Sequence, residues 1–349
     1  MPKSWGGLSN HSIFERIVSL ENLFIAWREF SCGKWDKGDI NEFALHVEDS
    51  LFLLHEELVA GRYRHGRYTP FYITDPKVRH IHKAQVRDRV LHHAIFRILN
   101  PIFDPSFVFD SYSCRGEKGT HRAVTRLGDF LRKQSRNNTR NVYVLKCDVR
   151  KFFDSIDHRM LLDTIYGKVK DRETMDLLCL IVSSFCTAQG KGIPLGNVTS
   201  QLFANIYLNE LDQFAKHILR AQYYIRYCDD FVILSHDREW LVDLIDRLRG
   251  FLQEKLSLEL HPHKISIRTW RQGIDFLGYV SFPRYTAMRL VTKKRMMATI
   301  AERIFLYERG FIGKRRLQST VQSYLGMLEH CDGYALQGEI RGMVKRFKL

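Results

Sequence analysis

Apolar and polar positions change rhythm several times along this chain, and each change marks an element. Ile17, Leu20, Phe24 and Trp27 recur at helical spacing, and Phe43, Leu51, Leu54 and Leu58 suggest a second stripe, so residues 1–60 are predicted to be helical. Residues 86–99 keep a helical rhythm, and the polar cluster 135–139 reads as a loop. Residues 141–148 then switch to a β-branched and apolar run, a strand that ends on Asp148. Asp157 is placed to cap a helix through Met160, Leu161 and Leu162. The stretch 192–201 opens another helix, with Leu202, Ile206, Leu208 and Leu211 on it. Two apolar runs, 223–225 and 231–234, flank Tyr227-Cys228-Asp229-Asp230, which is the pattern of a β-hairpin. Leu241, Leu244, Ile245, Leu248 and Leu252 predict a helix over 240–256, and Pro283 marks a boundary before a helical, basic end.

The hairpin brings chemistry with it. Asp229 and Asp230 repel each other unless a cation neutralises them. Mg²⁺ suits such a place, because it takes hard oxygen ligands and keeps positions open for phosphate and water. Asp148 at a strand end adds a third carboxylate. Three acids converging on two Mg²⁺ ions form a site that activates an attacking hydroxyl and stabilises a leaving oxygen in phosphoryl displacement.

Five segments occur in an order that resembles a known family. VLKCDVRKFFDSIDH, GIPLGNVTSQLFANIYLNELD, YCDDFVIL, SLELHPHKISI and IDFLGYV resemble motifs A to E of reverse transcriptases. VRDRVLHHAIFRIL and SYSCRGEKGTHRAV resemble the fingers motifs of the bacterial, group II intron-like branch. The resemblance covers roughly residues 60 to 282. It implies an α+β, right-hand polymerase fold with fingers, palm and thumb and an antiparallel palm sheet. The expected organisation is a helical N-terminal extension (1–60), fingers and palm (61–282) and a helical thumb (283–349).

The resemblance also implies roles. Asp148 and Asp229 would bind both metals, Asp230 would complete the acidic cluster, and the Val149 carbonyl would be a further ligand. Phe153 falls at the aromatic steric gate that excludes a 2′-hydroxyl by collision. Lys264 matches the motif D lysine, a general acid for pyrophosphate departure. Residues 276–279 resemble the primer grip. Lys77, Arg79, Arg115 and Lys118 are candidates to clamp triphosphate, the arginines first because a guanidinium fork matches phosphate geometry. Gly196 would let the backbone pass under the nascent pair.

Here the chain departs from the common polymerase form. Leu195 stands where glutamine is usual, and Gln201 follows Ser200 where proline is usual. That form is similar to the reverse transcriptases of diversity-generating retroelements, which misincorporate opposite template adenines. It implies a template RNA, its cDNA, dNTPs and a small basic accessory oligomer as partners. The alternative is a bacterial antiphage-defence or retron-like enzyme that copies a dedicated noncoding RNA. A nucleotide cyclase on a related palm and a degenerate RNA-binding module are disfavoured, the first by the basic flanks and the aromatic at 153, the second by the intact acids.

Charge supports a polymer substrate. The 54 Lys and Arg exceed 39 Asp and Glu, giving a formal net charge of +15. The surplus concentrates in residues 61–136 (16 basic, 6 acidic) and 284–349 (14 basic, 5 acidic), on either side of the acids. No apolar run approaches a membrane span and no signal-peptide pattern opens the chain, so a cytoplasmic protein away from membranes is expected. The seven cysteines form no CxxC pair, and His261 and His263 lack further ligands nearby in sequence. The 349 residues are expected to leave no length beyond the thumb for an RNase H or endonuclease domain, so template removal and integration are expected to come from elsewhere or not to happen.

Overall fold

A serine interrupts the first apolar stripe. The computed structural model describes residues 12–74 and 78–347. Its helices are α1 (Ile13–Val18), α2 (Leu20–Ser31), α3 (Gly38–Leu45), α4 (Val47–Val59), α5 (Val86–Phe103), α6 (Thr120–Gln134), α7 (Phe152–Ser155), α8 (His158–Tyr166), α9 (Arg172–Ser183), α10 (Val198–Gln213), α11 (Arg238–Leu256), α12 (Leu290–Glu308), α13 (Lys314–Leu328) and α14 (Tyr334–Val344). Its strands are β1 (Thr69–Ile73), β2 (Arg79–Lys83), β3 (Tyr143–Asp148), β4 (Tyr223–Tyr227), β5 (Asp230–Ser235), β6 (Ser266–Thr269), β7 (Ile274–Phe276), β8 (Tyr279–Ser281) and β9 (Thr286–Met288). The chain divides into two compact units. One runs to Gly116 and takes in Asp148–Arg220 and Arg247–Pro262; the other holds Glu117–Cys147, Ala221–Asp246 and the chain from His263 on.

In the first unit, Ser12 and Glu15 cap α1 reciprocally, and Ser19 ends that helix. The Ser19 hydroxyl accepts from Asn22 N (3.2 Å) and starts α2. The expected stripe is therefore two helices. The break turns the face, so Leu23, Ala26, Trp27 and Phe30 are buried while Leu20 and Phe24 are half-buried. α5 packs against both α2 and α10 through a face that includes Val90, Leu91, Ala94, Ile95 and Leu99.

A buried polar chain crosses this unit. Asp88, with no exposure, accepts from Tyr63 Oη (2.8 Å) and Gly66 N (3.0 Å). His65 and His92 share a hydrogen bond between their Nε2 atoms (3.1 Å), and His92 Nδ1 lies 2.7 Å from Thr199 Oγ1 at the start of α10. Burial, then the neighbouring His65, lowers the His92 pKa to about 3. An unfolded chain protonates that ring near 6.5, so the unfolded state binds the extra proton between the two values. Stability is expected to fall as pH drops through that window, by about 1.4 kcal/mol per pH unit for this group. Thermal melting of His92→Gln against wild type checks this: the variant should lose less stability on acidification, and an equal slope would place the acid lability elsewhere.

The second unit is built on a four-stranded sheet of order β4-β5-β3-β6, and only Asp148, at the end of β3, is grouped with the first unit. β4 and β5 are antiparallel, as are β3 and β6, with Lys146 opposite Ser266. Val144, Leu145, Ile225 and Phe231 to Leu234 are buried in this sheet. α6 packs on β4 and β5. A three-stranded sheet, β7-β8-β9, turns at Leu277 and Gly278, both with positive φ (51° and 89°), as a type I′ hairpin turn requires. The helical end begins later than Pro283, because Thr286–Met288 pair with β8 as a third strand. α12, α13 and α14 then share a core that includes Met296, Ile300, Leu317, Val321, Leu328 and Ile340. Each such fully buried side chain contributes about 1.5–3 kcal/mol. Among the described residues no helix is long and apolar enough to cross a membrane.

Candidate active site

Tyr227 pairs with Asp230, so Cys228 and Asp229 form a two-residue turn and Asp230 opens β5. Cys228 has φ 55°, a position that glycine takes more readily, at a cost of about 1–3 kcal/mol for other residues. Arg226, fully buried on β4, donates from Nη1 to the Cys228 carbonyl (3.1 Å) and braces the turn. Thr120 at the start of α6 donates to Tyr227 Oη (3.2 Å). A strained, braced turn thus presents Asp229 at its tip.

Asp148 is half-buried at the end of β3, next to β5 in the sheet, and its carbonyl accepts from His261 N (2.8 Å). Val149 is buried and bridged to Leu260. Lys151, with φ 44°, turns the chain into α7. There Phe152 is buried and Phe153 half-buried, their rings edge-on at 5.4 Å. The Phe153 carbonyl accepts from Ile193 N (2.9 Å), and the Leu195 carbonyl accepts from His82 N on β2 (3.1 Å). Within the first unit the structure therefore ties the segment carrying Phe153 to the one carrying Leu195 and Gly196. Gly196 is required on two grounds: its φ is 116°, and a Cβ there would stand 3.0 Å from Ile81 Cγ2. Gln201 is exposed at the start of α10.

Beside Leu195, rings follow one another from the β1–β2 hairpin. Tyr72 stacks on His80 (4.5 Å), His80 meets His82 (4.3 Å), and His82 meets Phe185 (4.5 Å). Burial, then His80, holds His82 below the ordinary histidine range.

The phosphate candidates separate. Arg79 opens β2 and is exposed, and Lys264 is exposed in the turn before β6. Arg115 is not available as a triphosphate clamp. Its side chain is 8% exposed, and its fork is committed to Asp104 Oδ1 (2.6 Å) and to the carbonyls of Val108 and Ser111. A guanidinium with those bonds holds a loop together. Lys77 lies outside the described residues.

Two charged residues inside strands went unread in the sequence, Arg226 and Lys146. Lys146 Nζ lies 3.3 Å from Asp230 Oδ2 and donates to the Asp275 carbonyl (3.0 Å). The signal was present, since a cation within an apolar strand is costly unless it is paired. Asp148 and Asp229 offer hard, half-buried oxygen donors, which suit Mg²⁺. Among the described residues, however, no three His, Cys, Asp or Glu side chains are grouped closely enough to hold a metal ion. The donor chemistry fits, and a ready-made cage does not stand there.

Comparison with known proteins supplies the family. A profile described as reverse transcriptase (RNA-dependent DNA polymerase) matches residues 74–281. Protein YkfC of Escherichia coli (strain K12) is 28% identical over 285 residues, 69% of this chain and 74% of YkfC. Group II intron-encoded protein LtrA of Lactococcus lactis subsp. cremoris is 25% identical over 263 residues, 55% of this chain but 42% of LtrA. The chain thus spans less than half of that relative's length. A structure of telomerase from Candida Tropicalis in complex with a TWJ fragment of telomeric RNA matches in fold, with TM-score 0.50 at 12% identity, over 84% of this chain and 58% of that one. The profile takes in Asp148, the acidic turn and the β7–β8 turn, more than half of the chain, which belongs to the reverse transcriptase (RNA-dependent DNA polymerase) family.

Proposed function

We propose that the chain copies an RNA template into cDNA by nucleotidyl transfer, as the error-prone enzyme of a diversity-generating retroelement. One observation carries the polymerase part: within the family match, Asp148 ends β3 and Asp230 opens the neighbouring β5, with Asp229 at the turn before it. Asp148, Asp229 and the Val149 carbonyl are the proposed ligands of two Mg²⁺ ions, and Asp230 completes the acidic cluster. When bound, such ions supply activation of the primer hydroxyl and charge stabilisation of the leaving oxygen. Phe153 stands under the sugar as the gate, Arg79 takes triphosphate oxygens, and Lys264 gives a proton to departing pyrophosphate. The exposed cations Lys293, Lys294, Lys314, Arg315 and Arg316 grip backbone phosphates. The rings of Tyr72 and His80 offer faces on which unpaired template bases stack.

The finer part rests on Leu195 and Gln201. A branched aliphatic beside the nascent pair removes a polar contact, and with it part of the penalty on a mismatch. A basic accessory oligomer belongs with this reading. Sequencing of cDNA made on a mixed-sequence RNA is the test. Errors concentrated opposite adenines support it, and low, even error supports a defence or retron-like role with a dedicated noncoding RNA. Leu195→Gln is expected to lower errors opposite adenines by about tenfold. An unchanged error rate in that variant would separate Leu195 from fidelity.

A further inference from the structure

Asp229 and Asp230 are consecutive, and two carboxylates at one place disfavour each other's charge. Within the second unit, Asp230 has a cation beside it. Lys146 Nζ lies 3.3 Å from Asp230 Oδ2, with side chains 24% and 23% exposed. The pair is therefore less open to solvent than the surface ion pairs that contribute nearly nothing.

The lysine is held from several sides. Its backbone is in β3, opposite Ser266 of β6 and beside β5. Its ammonium also donates to the Asp275 carbonyl on β7 (3.0 Å). Asp275 Oδ1 accepts from Arg289 Nε (2.8 Å), and Arg289 N donates to the carbonyl of Gly278 (2.9 Å). Asp230, Lys146, Asp275 and Arg289 thus connect the acidic hairpin to the β7–β8 turn, the part of the chain that resembles a primer grip. Strand alternation also puts Lys146 on the same face of β3 as Asp148, two residues on.

We propose that Lys146 is a positioning residue of the active site: it closes a pair with Asp230, leaves Asp229 as the metal-binding carboxylate of the hairpin, and couples that hairpin to the β7–β8 turn. This division of labour rests on the polymerase reading above. Lysine suits the task because its point charge carries three donors, so one ammonium serves a carboxylate and a carbonyl together. Asp230 contributes through the lysine, which stands beside its Oδ2.

The test is Mn²⁺ binding to the full chain without nucleic acid, read as loss of the free-ion paramagnetic resonance signal, for wild type, Lys146→Met and the double variant Lys146→Met/Asp230→Asn. Melting curves report folding. Lys146→Met releases a carboxylate beside the site and is expected to bind Mn²⁺ about tenfold more tightly. The double variant removes one charge of each sign and should stay within about threefold of wild type. Unchanged or weaker binding by Lys146→Met would overturn the inference. So would a loss of about tenfold or more in the double variant, because that result makes Asp230 itself a ligand. If Lys146→Met does not fold, the charge-neutral double variant decides alone. Primer extension by wild type is scored separately. Extension without the binding shifts removes the role of Lys146 and keeps the polymerase, whereas the shifts without extension do the reverse.

Discussion

Asp229→Asn is expected to abolish nucleotide addition while leaving RNA affinity within about threefold of wild type. The rate should fall by at least about 10³-fold, equivalent to about 4 kcal/mol of transition-state stabilisation. Asparagine keeps the shape of aspartate, and the bond bracing the turn, from Arg226 Nη1 to the Cys228 carbonyl, does not involve the Asp229 side chain. The loss should therefore come from the missing ligand charge and not from a collapsed hairpin. The cations proposed to hold RNA lie elsewhere and include the exposed Lys293, Lys294, Lys314, Arg315 and Arg316. Extension and fluorescence anisotropy on the same preparation check both halves. Near-normal extension would remove Asp229 from the chemistry, and a parallel loss of RNA binding would make its role structural.

Phe153→Ala is expected to admit ribonucleotides, with the preference for deoxynucleotides falling by about 100-fold. The proposed gate works by collision, so its removal should raise kcat/KM for the excluded substrate and leave the accepted one within about threefold. Phe153 is half-buried and edge-on to Phe152, and its tie to Ile193 uses the backbone carbonyl, which alanine retains. The stability cost should be about 1.5–2.5 kcal/mol, half that of a fully buried ring. Single-nucleotide incorporation with matched dNTP and rNTP measures the ratio. Continued rejection of ribonucleotides would place the gate at another residue.

The elements that carry the acids were legible because their patterns are local. Two apolar runs around a short polar turn specify β4 and β5, and Asp157 caps α8 by accepting from Met160 N (3.1 Å), as its position before the helix indicates. The β7–β8 turn came only through the resemblance of residues 276–279 to a primer grip, not from the residues themselves. Features decided by a side-chain cap within an apolar stripe or by distant partners were not legible. The Ser19 break depends on a hydroxyl competing for a backbone donor, which apolar periodicity does not register. Thr286–Met288 is too short to alternate visibly and is a strand only because β8 lies beside it. Arg115 has a basic residue's sequence signature whether it faces a phosphate or, as here, Asp104. Lys146 and Arg226 are charges whose partners lie elsewhere in the second unit or on the turn itself, and only the fold brings Asp230 and Asp275 to Lys146.

The most direct measurement is Mg²⁺-dependent extension of a primer on an RNA template, with wild type and Asp229→Asn side by side. Full-length cDNA from wild type, lost on chelation of Mg²⁺ and absent from the variant, is the predicted result. RNA bound by wild type with no extension at any Mg²⁺ concentration, or equal extension by both proteins, would contradict it.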